Sequence, residues 1–323
     1  MLKSLRFFPS CAITCMHFAR FLHGPCGLIL KFHTIEWLVN NGASVNLNEG
    51  SQRTPLYLAV ATGRADVVQY LIDKGADVNS QTNSLRTPLL EAVDVHRPGI
   101  VRMLIEAGAD LDLADIKGTT PLLDASFKIL HDKQDFTIEI IKLLIKGGCN
   151  VNKTNNLQAT PLMMAIGTKS YDVIELLLDS GADVNHMGNK KRTAFHVLTD
   201  HTKTTREALQ LIQRGADMNT KDSDGKTPLE KVTETGQIEM IKFLLHSDCK
   251  YNKELVHSER MKYLCEVVPG FGDWLTNELG TVKSLQRLCR LTVRNATPTD
   301  QLKNIPSLEL PVSLINYLMF KSG

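Results

Sequence analysis

The chain has 323 residues, of which 43% are hydrophobic and 22% charged; these values are near the globular average and exclude a mainly disordered protein. Its 37 basic and 35 acidic side chains leave a net charge of +2, which gives no electrostatic case for nucleic acid as the main partner. The seven cysteines are irregularly spaced and include no CxxC pair. That pattern argues against a disulfide framework and against a zinc site, and fits free buried thiols in a cytosolic chain.

Residues 1–32 form an atypical N-terminal segment. It holds no acid and carries Lys3, Arg6, Arg20 and Lys31, and Gly24-Pro25 breaks its apolar runs. No run reaches the length of a membrane span, and no clean apolar stretch leads to a signal cleavage site. A basic, acid-free start also suits an organelle-targeting peptide, on composition alone. From His33 to Asn41, the residues Ile35, Trp37, Leu38 and Val39 take helical spacing. The stretch where a partner helix belongs reads Phe21 to Cys26 around Gly24-Pro25, so the first structural unit is expected to be half present.

A repeat then runs through the chain. Thr54-Pro55-Leu56, Thr87-Pro88-Leu89, Thr120-Pro121-Leu122, Thr160-Pro161-Leu162 and Thr227-Pro228-Leu229 match, with Thr193-Ala194-Phe195-His196 as a variant. The threonines are spaced by 33, 33, 40, 33 and 34 residues. A second landmark keeps the same step, as in Gly75-Ala76-Asp77, Gly108-Ala109-Asp110, Gly181-Ala182-Asp183 and Gly215-Ala216-Asp217.

Each unit has a physical reading. Proline suits the first turn of a short inner helix such as 56–61. An amphipathic outer helix over 66–73 follows, with Val67, Val68, Leu71 and Ile72 on one face. Gly75 stops it in a left-handed conformation. One such unit cannot bury its apolar face, so neighbours must stack. From Thr120 to Gly148 the distance is 28 residues where the usual distance is 21. The seven extra residues fall around His131 to Asp135, between the two helices of that unit, and read as a surface insertion or a partner contact.

Beyond Asp248 the repeat fades. Residues 251–282 are read as a cap and connector, with a helix over 258–267 and a turn-rich break at Pro269-Gly270-Phe271-Gly272. A helix from Ser284 follows, placing Leu285, Leu288, Cys289 and Val293 on one face and Lys283, Arg287, Arg290 and Arg294 opposite. Leu310-Pro311-Val312-Ser313 then fixes an extended stretch before helical spacing returns at Leu314. The stripe Leu285 to Val293 is either a helix for a partner groove or part of a tail that folds back as a cap.

The repeat resembles the ankyrin repeat over about residues 34 to 250, and the tail resembles a SOCS box. Together they resemble the ankyrin-repeat and SOCS-box family. The resemblance implies an all-α fold: an ankyrin-repeat solenoid of about six to seven repeats over 33–250, the connector over 251–282, and a small helical SOCS box over 283–323. It further implies a substrate-recognition adaptor of a ubiquitin ligase, non-catalytic and needing no cofactor, acting in the cytoplasm or nucleus. Its partners would be Elongin C with Elongin B, the fifth cullin with its RING partner, and an unidentified target protein, with neither nucleic acid nor membrane. By the family motif, Leu285, Leu288, Cys289 and Val293 would meet Elongin C, and Leu310, Pro311 and Val312 the cullin. Ser313 stands where the family pattern has a second proline, a departure that bears on cullin choice. The alternative is an ankyrin scaffold with no ligase role, its tail a structural cap.

Target contact is expected at the loop tips, which by position are Gln52, Arg53, Leu85, Arg86, Ile116, Lys117, Lys190 and Lys191. No phosphate loop, GxSxG or HExxH motif is present, so no catalytic or metal residue is named. His196 is expected to serve the structural hydrogen-bond network of its repeat.

Overall fold

The computed structural model describes residues 32–128, 134–201, 205–247, 249–251 and 253–280, and every regular element among them is helical. The chain divides into two compact units, Met1–Asn156 and Leu157–Gly323.

Among the described residues the first unit begins with an outer helix, α1 (Phe32–Asn40), and continues with three inner–outer pairs. These are α2 (Pro55–Ala61) with α3 (Ala65–Asp73), α4 (Pro88–Asp94) with α5 (Pro98–Glu106), and α6 (Pro121–Phe127) with α7 (Gln134–Lys146). Inner helices pack on the next inner helix and on their own outer helix. The second unit holds α8 (Pro161–Gly167) with α9 (Tyr171–Asp179), α10 (Ala194–His201) with α11 (Arg206–Gln213), and α12 (Pro228–Thr235) with α13 (Ile238–His246). Its last described elements are α14 (Lys253–Val256), α15 (Glu259–Val267) and α16 (Phe271–Gly280).

The repeating threonine starts the inner helices. Thr54, Thr87, Thr120, Thr160 and Thr227 each accept a backbone N–H three residues on, at 3.1–3.3 Å. Such a cap is worth about 1 kcal/mol. Thr193 has no following proline, and its hydroxyl lies 3.0 Å from His196 Nδ1. The imidazole Nε2 lies 3.3 Å from the Lys226 carbonyl. His196 thus ties its own helix α10 to the tip that precedes α12, and burial pushes its pKa down.

Below the caps the core is apolar and mostly aliphatic. Leu56, Leu71, Leu89, Leu104, Leu122 and Leu144 are buried in the first unit, and Leu162, Phe195, Leu211, Leu229 and Leu244 in the second. Each such side chain contributes roughly 1.5–3 kcal/mol. Cys149 and Cys249 are buried, and burial pushes the Cys149 thiol up to about 11.

Three elements differ from the sequence expectation. The insertion in the third pair is not all loop. Residues 134–137 add a turn to the front of α7, which runs 13 residues where the other outer helices have eight or nine. Residues 129–133 lie outside the described residues. The helix expected over 258–267 starts one residue later, with Ser258 capping it by accepting the Met261 N–H at 3.2 Å. The break expected at 269–272 is confined to 268–270, and Phe271-Gly272 begin α16. Packing decides this, because Phe271 and Leu275 are buried. Trp274 stacks on Phe271 and lies under the Lys242 ammonium of α13. These helices seal the last repeat.

Candidate binding surface at the repeat tips

The loop before each threonine closes on itself. Glu49 N–H donates to the Arg53 carbonyl at 3.1 Å, and Gln52 N–H to the Glu49 carbonyl at 2.7 Å. The same pair of bonds recurs at Thr82/Arg86 with Leu85, at Asp115/Thr119 with Gly118, and at Asp222/Lys226 with Gly225. This closure places the residue two before the threonine in the left-handed region. Glycine fills that place at Gly118 and Gly225, but Gln52 (φ 61), Leu85 (φ 57), Gln158 (φ 57) and Lys191 (φ 54) fill it elsewhere. A side chain there costs about 1–2 kcal/mol relative to a right-handed residue.

Neighbouring tips are joined within each unit. Asn83 N–H donates to the Ser51 carbonyl and Ile116 N–H to the Ser84 carbonyl in the first unit, and Ser223 N–H to the Lys190 carbonyl in the second. On the far side of the repeats an asparagine does the same. Asn46, Asn79 and Asn185 accept the N–H of Asp77, Asp110 and Asp217 at 2.8 Å through their side-chain oxygens. Within each unit these links fix the joined tips relative to one another.

The tip residues named from sequence take different roles. Gln52, Leu85, Ile116, Lys117, Lys190 and Lys191 are exposed, and Leu85 and Ile116 are 44% and 57% accessible. Arg53 is held by Glu49 at 2.7 Å. The Arg86 guanidinium turns to Asp94 at 3.0 Å and Glu91 at 3.4 Å. Leu285, Leu288, Cys289, Val293, Leu310, Pro311 and Val312 lie outside the described residues.

A charge ladder on the inner helices of the first unit was not read from the sequence. The Tyr57 hydroxyl donates to Glu91 at 2.6 Å. Lys128 pairs with Asp94 and, at 3.1 Å, with Asp124. Burial, and then the bond to Glu91, pushes Tyr57 up to about 12. Burial raises Asp124 above the usual carboxylate range. Burial would lower Lys128, but its bonds to Asp94 and Asp124 outweigh that and raise it. The signal was available in register, since Glu91 and Asp124 each sit four residues after the repeat threonine.

Among the described residues no group of three or more His, Cys, Asp or Glu could hold a metal ion. No described helix is long and apolar enough to cross a membrane. The tips thus carry exposed side chains on a backbone that is already hydrogen-bonded.

Comparison with known proteins agrees with this architecture. A family model for ankyrin repeats matches residues 29–115 and 117–188. A model for the SOCS box matches residues 281–319. The chain is an ankyrin-repeat and SOCS-box protein. Among its relatives, rabbit (Oryctolagus cuniculus) ankyrin repeat and SOCS box protein 5 is 28% identical over 183 residues, covering 57% of this chain and 45% of the relative. Zebrafish (Danio rerio) ankyrin repeat and SOCS box protein 11 is 28% identical over 180 residues, covering 56% of this chain and 48% of the relative. The chain thus spans about half the length of the curated relatives it matches. The crystal structure of the human ASB11 ankyrin repeat domain superposes with a TM-score of 0.52 at 24% identity, covering 61% of this chain and 85% of that one. At that identity the likeness carries the ankyrin fold.

Proposed function

We propose that the chain is a substrate-recognition adaptor of an Elongin B/C–cullin–RING ubiquitin ligase. The observation that carries this reading is the order of domains, with ankyrin repeats followed by a SOCS-box match at residues 281–319. The repeat tips hold a target protein. The apolar stripe of Leu285, Leu288, Cys289 and Val293 enters a groove on Elongin C, which travels with Elongin B. Leu310, Pro311 and Val312 engage the fifth cullin with its RING partner, and Ser313, standing where the family pattern has a second proline, bears on cullin choice and affinity more than on Elongin docking. The chain supplies no reacting group. It acts by holding the target near a ubiquitin-loaded enzyme, which turns an encounter in solution into a local one. The working compartment is the cytoplasm or nucleus.

The test is co-purification of the intact chain and a Leu285→Ala/Cys289→Ala variant with Elongin C and the fifth cullin. The intact chain is expected to retain both and the folded variant neither, since removing a buried anchor costs roughly 2–4 kcal/mol. If the intact chain retains neither, the chain is an ankyrin scaffold and its tail a structural cap.

A further inference from the structure

We propose that the tips of the second unit form a docking strip for an acidic segment of a partner protein that also carries apolar side chains. Lys190, Lys191 and Lys221 meet the acids, and Leu157 and Met187 seat the apolar residues. This deepens the adaptor reading and rests on its claim that the repeats hold the target.

The first argument is the backbone. Asn189–Lys191 is a tight turn in which Lys190 (φ 57) and Lys191 (φ 54) are both left-handed. The other described tips have one left-handed residue each, at Gln52, Leu85, Gly118, Gln158 and Gly225. Strain of this kind persists only where the surroundings over-determine it. Here they do. Gly188 N–H donates to the Arg192 carbonyl at 2.9 Å, and Ser223 N–H to the Lys190 carbonyl at 2.8 Å. The Arg192 guanidinium is fixed on Asp200 and on the His196 carbonyl. The turn therefore presents two adjacent lysines from a rigid base.

The second argument is charge. Lys190, Lys191 and Lys221 are exposed and have no acid partner among the described residues. Other cations of the unit are engaged, with Arg192 on Asp200, Lys226 on Glu234 and Lys231 on Asp222. Asp222 is buried and accepts the Asp224 and Lys226 N–H groups at 2.9 and 3.0 Å. Asp224 is the exposed carboxylate on these two tips, and it takes the Ser223 hydroxyl at 3.4 Å. Three lysines against one exposed acid leave the strip positive, and complementary charge on a partner steers and selects it.

The third argument is the apolar pair. Leu157 and Met187 are 65% and 59% accessible. Their tips press together, since a Cβ on Gly188 would stand 2.8 Å from the Gln158 carbonyl and 3.2 Å from Met163 Sδ. Exposed Leu and Met beside unpaired lysines fit carboxylates interspersed with apolar side chains. A nucleic acid backbone would leave the apolar pair unmatched, and the chain's net charge of +2 gives it no wider basic field.

The experiment is fluorescence anisotropy of the full chain with short labelled probes. These are an alternating Glu/Leu peptide, a Lys/Leu peptide, a Glu/Ser peptide and a single-stranded oligothymidylate. The Glu/Leu peptide is expected to bind on the order of tenfold more tightly than the other three, and to weaken as salt rises. A Lys190→Ala/Lys191→Ala/Lys221→Ala variant loses that tenfold, and the matching arginine variant keeps it. Equal binding of the Glu/Leu and Lys/Leu peptides overturns the proposal. So does an oligonucleotide that binds as tightly as the Glu/Leu peptide, or full binding by the folded alanine variant. If the alanine variant does not fold, the probe comparison on the unaltered chain decides. Elongin C capture by the same preparation separates the two readings. Capture without Glu/Leu binding removes the docking strip alone, and Glu/Leu binding without capture removes the ligase role and leaves the strip.

Discussion

The inner helices of the first unit and the tips of the second both carry charge on the same repeat frame, and they use it in opposite ways. In the first, Arg86 and Lys128 are enclosed by Glu91, Asp94 and Asp124, and even the Tyr57 hydroxyl is committed to Glu91. In the second, Lys190, Lys191 and Lys221 stand exposed. A charge satisfied within the fold contributes to stability and is costly to disturb. A charge left in water contributes little to stability and stays available to a partner. Identical repeat geometry therefore does not imply an equal binding role along the chain.

The sharpest way to break this contrast is to remove one cation from each region. Lys128→Ala leaves the buried Asp124 without its ammonium, and is expected to cost about 1–3 kcal/mol in urea denaturation. Lys190→Ala/Lys191→Ala is expected to change stability by less than about 0.5 kcal/mol. Equal losses in the two variants would remove the distinction.

Alkaline titration tests the ladder without removing a charge. The folded chain holds the Tyr57 proton more tightly than the unfolded chain, because the pKa rises from 10.0 to about 12. The stability this contributes is complete below pH 10 and is lost as pH rises through about 12. Tyr57→Phe is expected to remove roughly 1–3 kcal/mol of the pH-dependent loss in that window, measured as the difference between the two denaturation profiles. Superimposable profiles would mean that Tyr57 is not held by burial and Glu91.

The smallest expected effect probes the tips. Lys191→Gly and Leu85→Gly place glycine where the backbone is already left-handed. Each is expected to raise stability by about 0.5–1 kcal/mol in thermal melts, with the lost strain partly offset by glycine's entropy in the unfolded chain. A destabilised variant would show that the side chain, not the turn, fixes the tip.

Much of this was legible from local rules. Thr-Pro at the head of five inner helices and Gly-Ala-Asp after four outer ones mark elements by capping and stop signals that act within a few residues. The helix at Phe271 was not legible, because Pro269-Gly270 reads as a break and only burial of Phe271 and Leu275 continues the chain as helix. The extra turn of α7 was hidden in the same way, since Thr137 is polar yet buried. For the candidate surface, the sequence located the tips by position. It did not distinguish Arg86, which is turned onto Asp94 and Glu91, from Lys190 and Lys191, which are not.

By itself, then, the sequence determined the repeat, its all-helical character and the order of ankyrin repeats before SOCS box, because caps, periodic apolar faces and motif spacing are properties of neighbouring residues. Only the tertiary structure decided which charges are satisfied and which are offered. The Lys128–Asp94 pair and the Tyr57–Glu91 bond each span 34 residues, and such partners meet only when one repeat stacks on the next.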